Sequence, residues 1–501
     1  MQLLNVRADD DQNIEDVRRR IARNPAQVVL LALQGSRLHA RVLAASLGAI
    51  PRIFYPAVID MFANSIRHHG THIAYDNEGY LAVGDMDIAI LAISQIKSDF
   101  YTANPASRQR VFNSLPHLYS WTKVAMEWLV QKHEGPERLM ELRGYLLDII
   151  HSAIAVMREV GEDGVMFIWE KDAHHLIIDL WVQLRGCTIK EEAKAACTLM
   201  ICKSTFFEGA ADGTLRHAPE NFGEYLLERC RSQFDLDTAR IVALAKDRVV
   251  RASSPPTAVI EPDSHLYVEV ELEVLGAIIA TPGSAHQYFV DEGGIHTLML
   301  IMASGVKGDL WGIVGNSLIV LEKICDRTQS TQAVLAALKN DLVEKLITGT
   351  YNYQHFEYVA AESLLAFIER ILPDALLFRS NFDRCDALTA GDERREVLCS
   401  DPRVGGQWTH LFRVYDERKT FFDKVLRHQL RECDHINCSV KETQYCQFPK
   451  CGGCEMRFFC SKKCQREAWV QHRGECYKMR DVRHDGLCSS RDKEPDPTRT
   501  P

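Results

Sequence analysis

The sequence predicts a mainly α protein, an irregular array of helices followed by a small cysteine-rich module near the end of the chain. Three observations carry that prediction. Apolar residues recur in patches ~10–20 residues long, separated by short turns bearing Gly, Pro, Asn or Asp, as compact helical arrays require. Alternating strand patterns are almost absent; the best of them, Leu266–Val270, runs into a longer apolar stretch and reads as the start of a helix. Eight of the 16 cysteines fall between Cys433 and Cys476, the densest chemistry in the chain.

The helices follow one another in order. Ile14–Ala22 is stopped by Asn24-Pro25, and Val28–Leu33 ends at Gly35. Arg37–Leu47 comes next, then Ile53–Ile66 beyond Pro51. Met86–Ile96 is apolar enough all round to be buried. Leu118–Gln131, Glu137–Glu159, Asp172–Leu184 and Lys190–Ile201 continue the array, the last opened by Thr188 with Glu191 three residues on, a capping-box signature. Leu310–Cys325, Ser330–Leu338, Asp341–Ile347 and Val359–Ile371 extend it. A loop over Ser400–Gln407 sets a domain boundary near Asp401. A helix over Trp408–Leu430 follows, with Leu411, Val414, Tyr415, Phe421, Phe422, Val425 and Leu426 as its apolar stripe. It leads almost without linker into Cys433 and should fix the module to the body. After Cys476 the polar, Pro-rich residues 477–501 predict a disordered tail.

The cysteine spacings point to metal rather than disulfides. The opening residues carry no apolar core of signal-peptide length, and no run approaches the ~18 apolar residues of a membrane span. The expected compartment is therefore intracellular, where clustered thiols stay reduced and read as ligands, and the sequon Asn437-Cys438-Ser439 is a chance match. Cys451-Gly452-Gly453-Cys454 is a C-x2-C turn whose two glycines let the backbone fold tightly around one ion. Cys460 and Cys464, like His472 and Cys476, are spaced to share one face of a helical turn. Cys433 and Cys438 supply a fourth pair. In a helix, Cys460 and Cys476 would stand roughly 24 Å apart, too far for one tetrahedral ion. Two zinc ions are expected, each closed by four protein ligands and hence structural. So short and polar a segment buries too little to fold alone, and the metal must supply on the order of 10 kcal/mol per site. Trp469, Phe458 and Phe459 are expected to form the module's small core.

These residues carry a resemblance. The run Phe459-Cys460-Ser461-x2-Cys464-Gln465-x3-Trp469-x2-His472-x3-Cys476, preceded by Cys451-x2-Cys454, resembles a MYND-type zinc finger, and the wide Cys433-x4-Cys438 spacing resembles fungal variants of it. The resemblance implies interleaved sites: Cys433, Cys438, Cys460 and Cys464 on one zinc, Cys451, Cys454, His472 and Cys476 on the other. An alternative first pair is Cys438 with Cys446, which leaves Cys433 free, and His435 also stands close enough in sequence to compete. The resemblance further implies a protein–protein adaptor that reads proline-containing peptides, including those of transcriptional co-regulators, with Gln465 and Trp469 as contact positions. In the body, Phe289–Met302 resembles the third-helix entry of an armadillo repeat, where a pair such as Gly293-Gly294 breaks one helix before an apolar one begins. The body is therefore expected to be an irregular armadillo-like solenoid over residues 1–400. No clean repeat of ~40–47 residues can be read by eye.

Composition and motif searches bear on the remaining classes. The chain is 46% hydrophobic and 25% charged, ordinary for a globular protein. Its net charge is -9, and residues 431–501 hold 14 Lys+Arg against 11 Asp+Glu, which leaves an acidic body. Seven ligand thiolates also offset the four positive charges of two zincs and the surplus of three, so binding to a phosphate backbone is not expected. No phosphate loop, dinucleotide fingerprint, H-E-x-x-H or G-x-S-x-G occurs. MYND fingers also occur inside SET-type methyltransferases, but their Asn-His-Ser-Cys-like cofactor motif is missing here, and the chain is not expected to be an enzyme. His68, His69 and His72 read as a surface turn. His174 and His175 read as one packed and one wet helix residue. Cys197 and Cys202, and the isolated Cys187, Cys230, Cys325, Cys385 and Cys399, read as small hydrophobes. Lys462-Lys463 is too short for a nuclear-localisation cluster.

Overall fold

A computed structural model describes residues 8–69, 85–96, 98–131, 137–161, 164–165, 167–168, 173–185, 187–211, 222–253, 264–328, 331–382, 384–385, 388, 392–427, 432–442, 448–454 and 457–488. Among them the chain is helical almost throughout, and the only β pairing is two isolated bridges near the C-terminal end. Two compact units divide it, Met1–Phe367 and Ile368–Pro501. No described helix is long and apolar enough to cross a membrane.

The first unit is organised by seven helices packed in series: α1 (Arg37–Ala45), α2 (Asp85–Ile93), α3 (Glu137–Glu159), α4 (Ile189–Ala211), α5 (Ser264–Ile279), α6 (Trp311–Thr328) and α7 (Tyr358–Ala366). Each packs against the next in that order, with further helices such as Leu115–Gln131 and Thr238–Ser253 packed beside them. Hydrogen bonds tie these helices to one another across the sequence. Gln95 to Ala44, Ser114 to Ala63, Arg143 to Glu191, His151 to Thr198, Asn316 to Glu269 and His296 to Asn340 join residues 44 to 51 positions apart. Successive helices of this series therefore pack neighbour to neighbour, and the unit is mainly α.

Local chemistry places several of these helices. Thr188 and Glu191 form the expected capping box: the Thr188 N–H donates to Glu191 Oε2 at 2.9 Å, and the Glu191 N–H donates back to Thr188 Oγ1 at 3.3 Å. The same carboxylate, almost wholly buried, receives Arg143 Nε and Nη2 from α3 at 3.0 and 2.9 Å. One side chain thus starts α4 and ties it to the preceding layer. Gly293 takes φ 71 between the helices Ala285–Asp291 and Gly294–Lys307, the left-handed break that the Gly-Gly pair predicts. Gly294 is just as constrained, because a Cβ there would meet the Phe289 ring at 2.4 Å. Leu266–Val270 is indeed the beginning of a helix, α5.

In the second unit the helix Asp392–Ser400 packs against α8 (Gly405–Arg427). Arg395 bonds both Asp416 oxygens, at 2.9 and 3.2 Å, and lies 4.7 Å over the Phe412 ring. The expected boundary near Asp401 is therefore the turn of a helical hairpin inside one unit. Its core is Trp408, Leu411, Phe412, Tyr415 and Phe422. Phe421, expected in that stripe, faces solvent, and the side chains of Val425 and Leu426 lie outside the described residues.

The histidines and cysteines of the first unit gather no metal cluster among the described residues. His174 is buried and its ring tilted against Tyr225, while His175 is half-buried and stacked on it, as one packed and one wetter residue should be. Burial pushes the His174 pKa down to about 3. His68 is exposed at a helix end; the side chain of His69 and the whole of His72 lie outside the described residues. Cys230, Cys325 and Cys385 are buried, Cys187, Cys197 and Cys399 half-buried, and Cys202 has no described side chain.

Candidate metal centre

Two short antiparallel bridges build the finger. Glu432 pairs with Lys441 around the Cys433–Cys438 turn, and Lys450 pairs with Phe458 around the Cys451–Cys454 turn. In the first, the Cys433 N–H donates to Val440 O at 2.9 Å and the Cys438 N–H to His435 O at 2.8 Å. In the second, the Cys451 N–H donates to Arg457 O at 2.8 Å. The chain then enters α9 (Lys462–Cys488). Cys460 precedes this helix rather than sharing its face. Ser461 accepts the Cys464 N–H on Oγ at 3.2 Å and so sets the helix start. His472 and Cys476 are one helical turn apart, as their spacing predicts. The helix also continues to Cys488, so residues 477–488 of the expected disordered tail are helical; its remainder lies outside the described residues.

Eight side chains converge in two groups. Cys433, Cys438, Cys460 and Cys464 form one; Cys451, Cys454, His472 and Cys476 form the other, with the ligand atoms of each group within 4.8 Å of one another. The separations match a zinc tetrahedron. Bonds of ~2.3 Å to sulfur and ~2.0 Å to nitrogen give edges of roughly 3.8 Å between sulfurs and roughly 3.5 Å between sulfur and nitrogen. The structure has Cys438–Cys460 at 3.6 Å, Cys460–Cys464 at 3.4 Å, Cys451–Cys476 at 3.7 Å and Cys454 Sγ to His472 Nε2 at 3.4 Å. Disulfides would need about 2.05 Å. Each set holds four protein ligands, and the finger accommodates two closed zinc sites.

Electrostatics explains why the ion is needed. Cys460 is pushed up to about 12, first by its hydrogen bond to Cys464, and burial pushes Cys476 up to about 11. At Cys451 burial opposes ionisation, yet the N–H groups of Cys454 and Gly453, with His472 and Cys476, bring the thiol down to about 6. Four thiols around one point cannot all lose their protons unless a cation shares the space. Packing leads to the same conclusion. Among the described residues the buried cluster consists of Cys433, Cys451, Cys454 and Cys476 with Phe448, Phe459 and Ala468. Most of that described interior is therefore ligand.

The structure resolves what the spacing left open. Cys433 stands with Cys438, Cys460 and Cys464 in the first set; Cys446 lies outside the described residues. His435 stands 3.7 Å from Glu467 and belongs to neither set. Phe459 is core, and Phe458 packs against it half-buried. Trp469, expected in that core, is 38% exposed, its ring 6.0 Å from that of His472 at 74°. Gln465 is half-buried one turn earlier on α9. Of the two glycines, neither adopts positive φ, and only Gly453 is sterically required: a Cβ there would lie 2.7 Å from Cys476 Sγ, whereas at Gly452 it would meet nothing within 4 Å. Sequence reasoning also missed Asp434 and Arg457. Asp434 Oδ2 accepts the Phe458 N–H at 2.6 Å, and Arg457 bonds Asp434 and Glu475. No motif flags them, because they act across the fold.

The fold and site thus define a helical protein with a two-zinc finger. Residues 433–476 match the family model for the MYND finger, a family of protein-interaction domains. The "MYND-type zinc finger protein samB" of Aspergillus clavatus is 42% identical over 48 residues, which are 10% of this chain and 8% of that protein. The Aspergillus terreus protein of the same name shows the same identity and coverage. The chain thus spans under a tenth of the length of these relatives. The crystal structure of an engineered protein superposes with a TM-score of 0.41 at 12% identity, covering 83% of this chain and 96% of that one.

Proposed function

We propose that this protein is an intracellular, non-enzymatic adaptor whose finger recognises proline-containing peptides of protein partners, transcriptional co-regulators among them. Trp469 and Gln465 are the contact positions, and the helical body supplies scaffold or a second recognition surface. The observation that carries this reading is the exposure of Trp469. An indole that the finger's interior does not use stands on α9 beside His472, a ligand of the second site. Aromatic side chains offer a large rigid contact area at low entropic cost, and one left half in water is suited to a partner. Both zinc sites are closed by four protein ligands, which favours a structural over a catalytic metal.

The test compares full-length protein with Trp469→Ala and Gln465→Ala on an array of proline-containing peptides, after each variant is shown to retain two zincs. Loss of peptide binding with zinc intact supports the reading; unchanged binding removes both residues from it. Capture of partners from cells by a Cys451→Ser/Cys454→Ser variant, with its helical content checked by circular dichroism, then separates finger from body. Partners that vanish belong to the finger, and partners that stay belong to the helical surface.

A further inference from the structure

We infer that Arg457 is a positioning residue that couples the two zinc sites. It lies between the two turns of the finger, and three of its groups reach residues that flank or supply ligands. Its carbonyl accepts the N–H of Cys451, a ligand of the second site, at 2.8 Å. Its Nη1 donates to Asp434 Oδ1 at 3.2 Å, beside Cys433 of the first site. Its Nη2 donates to Glu475 Oε2 at 2.9 Å, beside Cys476 of the second. One planar guanidinium therefore spans both ligand sets.

Partly exposed ion pairs usually contribute little, and these side chains are 36% (Arg457), 26% (Asp434) and 56% (Glu475) exposed. Here one end of the tie is already fixed. The other Asp434 oxygen accepts the Phe458 N–H at 2.6 Å, and the Asp434 N–H donates to Phe458 O at 2.8 Å. The carboxylate is therefore held before Arg457 arrives, which removes much of the entropic cost of an exposed pair. The fork geometry matters as well. Two carboxylates on different Nη groups match a guanidinium, whereas a lysine ammonium is a point charge on a flexible stem. The ligand order supplies the reason for a tie. The chain visits site one, site two, site one and site two in turn, so a shift of either turn strains both ions. The inference is independent of any bound peptide.

The experiment is zinc release from zinc-loaded full-length protein into excess 4-(2-pyridylazo)resorcinol, comparing wild type, Arg457→Met, Arg457→Lys and Lys463→Met. Lys463 is an exposed cation on the same finger outside the tie. Circular dichroism first establishes that each variant keeps the helical signal. The expected result is a single release phase for wild type and Lys463→Met. Arg457→Met should lose its first zinc about fivefold faster, with the second release separated from the first. Arg457→Lys should follow Arg457→Met, because one ammonium cannot hold both carboxylates. A wild-type profile in Arg457→Met, an equal effect of Lys463→Met, or full rescue by Arg457→Lys would each overturn the inference.

Discussion

Replacing Gly453 by alanine should cripple one zinc site and leave the other intact. A Cβ at Gly453 would sit 2.7 Å from Cys476 Sγ, while ordinary contacts begin near 3.4 Å. The sulfur must therefore retreat by roughly 0.7 Å, well beyond the ~0.2 Å by which zinc–ligand distances vary. Cys476 lies one helical turn after His472 on α9, so it cannot retreat without disturbing a second ligand of the same ion. A structural site worth ~10–16 kcal/mol shared over four ligands loses on the order of 3 kcal/mol when one is displaced, about a hundredfold in affinity. The assay is competitive chelation of full-length protein, read as the number of zincs retained at each chelator concentration. Gly453→Ala should hold one zinc with wild-type affinity and release the other about a hundredfold more readily. Gly452→Ala is the matched control, since its Cβ would meet nothing within 4 Å. Two zincs held at wild-type affinity by Gly453→Ala, or equal weakening by Gly452→Ala, would refute the reasoning.

Two further outcomes follow from the same structure. Chelating both zincs should leave the far-UV helical signal nearly unchanged while altering Trp469 fluorescence, because the finger's buried cluster is built from its own ligands and three apolar residues; a large loss of helix would refute this. The first unit should lose stability as pH rises from the ordinary Glu271 value of 4.5 to about 7. Burial raises this carboxyl most; Arg248 at 3.6 Å opposes it, Glu192 adds to it, and Arg251 opposes it. Within that window the folded state binds more protons than the unfolded one, so stability falls with pH, by on the order of 3 kcal/mol. Urea midpoints at the two pH values should show that fall in wild type and its loss in Glu271→Gln; equal slopes would contradict the assignment.

Much of this architecture was legible as text because it is local. Helix starts depend on residues three positions apart, and Thr188 with Glu191 showed one directly. The break at Gly293 was legible because few residues other than glycine take that conformation. The packing of one layer on the next was not. Each layer is recognised by its neighbour through Gln95 and Ala44, or Arg143 and Glu191, pairs some fifty residues apart that share no common letters. The turn near Asp401 was ambiguous for a related reason: a Pro-Gly loop looks the same in a linker and in a hairpin, and contacts such as Arg395–Asp416 form only in the fold.

The sequence by itself determined the chemistry of the finger: two ions, eight ligands, and the interleaving that the family resemblance implied. Metal ligation allows this, because only thiolates and imidazoles bind zinc tightly and their spacing limits which of them can meet. Tertiary structure alone decided what those residues rest on. It brought Cys433 into the first set, left Trp469 half in water, made Gly453 and not Gly452 indispensable, and placed Arg457 between the sites. Each of these depends on a distance between segments far apart in the chain, and such distances are fixed only when α9 packs against both turns.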